Sequence, residues 1–164
     1  MHPLDELLQW LPEMDFAVLD HRFAIHGRDY ILLIEDCLSS NQGQHEITFT
    51  HCVRADYETR VMDKVWPESW GDEFTDYEVW TSAKEPEGYV WGTNWSLAYP
   101  GITVIHDSPS VGEWGKRLGK QMFEVTLETD RFLLRLIFHS VRWRKVSEKC
   151  GTISQAITRL KPSK

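Results

Sequence analysis

The segment "QMFEVTLETDRFLLRLIFHSVRWRKV", Gln121 to Val146, carries the clearest alternation in the chain. Phe123, Val125 and Leu127 alternate with Glu124, Thr126 and Glu128, which gives a strand one apolar and one polar face. Thr129 and Asp130 then supply a turn, and Phe132, Leu134, Leu136 and Phe138 resume the apolar parity on the way back. Two runs of period two joined by a short polar turn predict an antiparallel hairpin.

The same period recurs upstream. "HRFAIHG" (21–27) and "YILLIEDC" (30–37) read as a first hairpin across Gly27 to Asp29, and "HEITFTHCV" (45–53) continues the meander after the polar loop "SSNQGQ". "DYEVWTS" (76–82) and "GYVWGTNWSLAY" (88–99) read as further strands, and Pro100 with Gly101 as a turn into "ITVIH". "YETRVMDKVW" (57–66) reads as a short helix followed by coil, and "DSPSVGEWGKRLG" (107–119) as a loop with at most one helical turn near Trp114. At the front, Leu4, Leu7, Leu8 and Leu11 follow Pro3 at helical spacing, with Asp5 and Glu6 where the helix dipole favours acids. The expected architecture is mainly β with some α: about eight antiparallel strands as a curled sheet, barrel or sandwich, with a short N-terminal helix over residues 3–11. A single domain of 164 residues is expected, with a strand-rich body over 16–146 and a polar tail over 151–164 that has a short helical pattern.

Composition narrows the function classes. The net charge of −7 opposes nonspecific nucleic-acid binding, whose phosphates demand a basic face. "RWRK" (142–145) does not change that, because alternation puts Trp143 and the two arginines on opposite faces. No apolar run approaches the roughly 20 residues of a membrane-spanning helix. Cys37, Cys52 and Cys150 show no CxxC spacing, and the first residues are acidic rather than basic, so a bacterial, cytoplasmic protein with reduced thiols is expected.

No catalytic motif, cofactor motif or metal-binding spacing emerges. GxSxG, P-loop and GxGxxG patterns are absent from the sequence. His21, His26, His45, His51, Cys52, His106 and His139 fall in or beside strands, but His45 and His51 are six residues apart, roughly 20 Å on a strand, and cannot share an ion.

Two features suggest binding. The acidic segment from Asp56 to Glu87 carries aromatic residues, and Trp66, Glu68, Trp70, Asp72, Glu73 and Asp76 read as a docking face for a protein partner. Charge alone points to a basic partner, as in an immunity-like protein that neutralises a toxin nuclease, or to self-association. The alternative is a small-ligand pocket inside the curled sheet, lined by Trp80, Tyr89, Trp91 and Trp95 with Asn94 or Thr93 as polar anchors. In "GYVWGTNWSLAY" every bulky side chain but Val90 shares one parity, and that bulky face is the one expected to be buried.

Overall fold

The computed structural model describes residues 1–11, 15–63, 66, 81–84 and 95–150. Helix α1 (Pro3–Trp10) is followed by strands β1 (Ala17–Phe23), β2 (Tyr30–Asp36), β3 (Gly43–Thr50), β4 (Arg54–Thr59) and β5 (Ser96–Val104). Helix α2 (Pro109–Leu118) precedes β6 (Phe123–Thr129), β7 (Phe132–Phe138) and β8 (Ser140–Ser147). The eight strands form one antiparallel, unclosed sheet in the order β4-β7-β6-β5-β1-β2-β3-β8. This is the curled sheet with a short N-terminal helix that the period-two pattern predicts. No helix among the described residues is long and apolar enough to cross a membrane.

The sheet curls because one ribbon bends. β3 runs into β4 through residues 51–53, and β7 runs into β8 through His139 alone. Thr50 faces Ser140 on one side of the bend and Arg54 faces Ile137 on the other, so three residues oppose two and one is extra. That is a bulge, with His51 at φ 49°, and bulges of this kind turn a strand pair out of plane. The ladder stays bonded through the turn: His139 N–H donates to Thr50 O at 3.0 Å and Val53 N–H to Ile137 O at 2.9 Å. β5 makes the second join, pairing Ser96 and Leu97 with β1 and its later residues with β6.

The enclosed core contains Phe16, Ile34, Ile47, Phe49, Leu127, Leu134 and Phe138, each at most 1% exposed. α1 adds Leu4 and Leu7 to it, which is the reason a helix this short is stable. His2 caps that helix by accepting from Leu4 N–H at 3.2 Å, and Pro3 opens it.

Four sequence expectations are corrected. Tyr57–Thr59 is strand, not helix, because β4 has β7 as an edge partner over Arg54–Thr59. Residues 109–118 form a full helix: Ser108 caps it, Pro109 occupies the first turn and Gly119 ends it in the left-handed region at φ 61°. Pro100 and Gly101 do not separate two strands; β5 runs through them, with Tyr99 and Pro100 bulged out of the pairing with β6. Thr81 and Ser82 are helical rather than extended. The other residues of "DYEVWTS" and the helical pattern of the tail lie outside the described residues.

Candidate functional site

A cleft of about 470 Å³ opens between the β1–β5 junction and the β4–β7 ribbon. Trp66 and Trp95, assigned by sequence to two different sites, line the same cleft. They are joined there by His21 of β1, Tyr57 of β4 and Arg131 and Phe132 at the start of β7, with Asp20 and Ser96 at its polar margin.

The aromatic rings are ordered against one another. His21 stacks on Tyr57 with centroids 5.6 Å apart and planes 11° from parallel. Phe132 lies 4.6 Å from His21 and 5.2 Å from Tyr57. Strand positions explain the trio: at the end of the β4–β7 ladder Tyr57 faces Leu134 and Thr59 faces Phe132, which brings Tyr57 diagonally against Phe132. His21 Nδ1 meets the Tyr30 hydroxyl at 2.7 Å, which fixes the imidazole plane. Burial lowers the His21 pKa, with Asp20 opposing it, so the ring is neutral at pH 7. Burial, with smaller effects from Cys52, Asp20 and Tyr57, pushes the Tyr30 phenol up to about 12. Tyr30 therefore remains a hydroxyl. Trp66 is pinned by its indole N–H, which donates to Val61 O at 3.3 Å. Among its described residues the cleft thus offers aromatic rings, the Arg131 guanidinium and the Asp20 carboxylate: a surface for binding, with a neutral imidazole in its wall.

Of the sequence-assigned docking face, Glu68, Trp70, Asp72, Glu73 and Asp76 lie outside the described residues. So do Trp80, Tyr89, Trp91, Thr93 and Asn94 of the alternative pocket. Where the strand holding Trp95 is described, its parity is the reverse of the expected one. Ser96 and Ala98 are buried, at 8% and 0%, while Trp95 and Leu97 are half-buried and Tyr99 is exposed. Ala98 N–H donates to Phe16 O and Ala98 O accepts from Asp15 N–H, a pairing that fixes the register of this strand and sets Ala98 on the face packed into the core.

Sequence reasoning missed His21 as a cleft residue, together with Tyr57, Arg131 and Phe132. No local signal marks them, since they meet only through the pairing order of strands far apart in sequence. Among the described residues no three His, Cys, Asp or Glu side chains converge to share a metal ion. On "RWRK", Arg144 pairs with Glu46 at 3.0 Å on the outer face, while Trp143 faces Trp10 at 5.9 Å on the inner one. The expectation of three separate thiols is corrected: Cys37 and Cys150 form a disulfide, and Cys52 is free and buried.

No curated protein matches the sequence. A crystal structure of an uncharacterized protein from Neisseria gonorrhoeae is similar at 9% identity over 80% of this chain and 92% of that one, with a TM-score of 0.35. Residues 2–154 match the family described as YxiG-like protein, and the chain belongs to that family.

Proposed function

We propose that this member of the YxiG-like family is a protein-interaction module whose recognition surface centres on the aromatic cleft. One observation carries the reading: Tyr57, 58% exposed, is braced by His21 beside Trp66, Trp95 and Arg131. Tyr, Trp and Arg are the residue types that dominate interface hot spots, and rings already held in place lose little entropy on binding. Trp66 also leads directly into the acidic segment with Glu68, Asp72, Glu73 and Asp76, which supports a basic partner steered by charge. A bacterial, cytoplasmic setting is part of the same proposal.

A second reading is favoured by the cleft's volume, which falls within the range of small-molecule sites, so a planar ligand could occupy it instead. Native mass spectrometry of the protein from its own host, beside Tyr57→Ala and Trp95→Ala, separates the two. The docking reading expects a retained basic protein whose capture drops at least tenfold in both variants, on the order of 1.4 kcal/mol or more. A retained small mass lost in both variants would shift the cleft to the ligand reading. Undiminished capture of the partner by both variants would remove the cleft from recognition.

A further inference from the structure

We propose that Cys37 and Cys150 are a reversible thiol–disulfide exchange site that latches the end of β8 to the β2–β3 connection, with a low-molecular-weight disulfide such as oxidised glutathione as oxidant.

The site is built by the sheet. The two cysteines are 113 residues apart in sequence, yet their Cα atoms are 5.3 Å apart, within the spacing a disulfide needs. β2, β3 and β8 are adjacent, and Gln44 faces Ser147 at the end of the β3–β8 ladder, so the residues following β2 and β8 meet at one sheet end. The surroundings suit both oxidation states. Glu35 Oε1 lies 3.4 Å from the Cys37 sulfur, and the Asp36 carbonyl lies 3.5 Å from the Cys150 sulfur. Each free thiol would therefore have an acceptor without backbone rearrangement. Glu35 and Asp36 are themselves buried and held, Glu35 by Gln44 Nε2 at 3.0 Å and Asp36 by the N–H groups of Leu38 and Ser39.

The two sulfurs differ in access. Cys37 is buried, only 8% exposed, whereas Cys150 is exposed. Cys150 is thus the entry point. Its thiolate attacks one sulfur of oxidised glutathione, forming a mixed disulfide and releasing one glutathione thiolate. The Cys37 sulfur then displaces the second glutathione and closes the protein disulfide. Two protein thiols are oxidised, one glutathione disulfide is reduced to two thiols, and the two protons pass from the protein thiols to the released glutathione. Cys52 takes no part, being buried, with its thiol pushed up to about 12 by burial.

The latch bears on α1 through the β2–β3 connection. Asn41 Nδ2 donates to Trp10 O at 3.3 Å, and its carbonyl meets His45 Nε2 at 2.6 Å. The Trp10 ring in turn lies edge-on to His45 at 4.5 Å. Opening the disulfide removes the covalent tie on the loop that holds this helix end.

The test equilibrates the full chain across ratios of reduced to oxidised glutathione, quenches it, alkylates it after denaturation and counts labels by mass. The proposal expects Cys37 and Cys150 to lose their labels together at one midpoint while Cys52 is labelled throughout, with amide exchange over residues 38–42 accelerating in the reduced form. Cys150→Ser should show the amide exchange of the reduced wild type over residues 38–42 at every ratio. Three labels at the most oxidising ratio would overturn it. So would a Cys37–Cys150 bond surviving the most reducing ratio, or exchange over residues 38–42 that is the same in both redox forms.

Discussion

His51 and His139 meet edge to face, their ring centroids 5.7 Å apart, at the bend where the β3–β4 and β7–β8 ribbon turns from one half of the sheet into the other. His51 is the left-handed residue of that bend, and Asp29 holds it there by accepting its N–H at 3.1 Å. A buried carboxylate in the β1–β2 turn thereby ties the first hairpin to the corner of the sheet. Arg28 clamps the same carboxylate with two hydrogen bonds of 2.8 Å.

Asp29→Asn is expected to destabilise the fold by about 2–3 kcal/mol at pH 7, since it breaks the charged clamp in a site only 2% exposed. Hydrogen bonding from Arg28 leads, and with help from the His51 N–H and against burial it holds the carboxyl down to about 2. The folded value lies below the unfolded one of 3.8, so this stabilisation is complete above pH 4 and is lost as the pH falls toward 2. Urea unfolding at pH 7, 5 and 3 checks it: the wild type should lose stability over the last step, and the variant should lose less.

His21 is half-buried and its pKa is lowered, so the unfolded chain binds a proton more readily than the folded one. Its contribution to stability is therefore present above pH 6.5 and declines as the pH falls below that value. Asp20 is the opposing influence, and Asp20→Asn should lower the His21 midpoint further. Following the imidazole resonances by NMR across pH 4 to 8 tests both statements; an upward move in the variant would contradict the assigned cause.

Phe138→Ala should cost about 3–5 kcal/mol, because the ring is fully buried with Phe49 at 4.8 Å and Phe123 at 6.3 Å and its loss leaves a cavity in the core. Ile25→Ala, at a fully exposed turn position, should change stability by less than about 0.5 kcal/mol. Chemical denaturation of the two variants beside the wild type gives the comparison.

Gly43→Ala should be destabilising by about 1–3 kcal/mol. Gly43 has φ 128°, and a Cβ there would sit 2.5 Å from the Ser147 carbonyl oxygen. That oxygen belongs to the backbone of the neighbouring strand and can retreat only by opening the ladder end. Faster amide exchange at Gln44 and Ser147, with protection unchanged around Leu32, would locate the damage there.

Elements whose signals are local were legible in the chain alone. Alternation along Phe123–Phe138 specifies two strands and a turn, because a period of two in side-chain polarity has only one half-buried solution. The spacing of Leu4 and Leu7 after a proline likewise specifies α1. Tertiary structure decided the rest. "YETRVM" carries no strong strand pattern, and Tyr57–Thr59 is extended only because β7 offers its edge. Ala98 and Ser96 are inside, and Trp95 half out, because the pairing with β1 fixes the register of the strand. The cleft around His21 and Tyr57, and the meeting of Cys37 with Cys150, follow from which strands lie side by side. That order is fixed by how all the apolar faces are buried together, a property of the assembled sheet that no segment of the chain carries alone.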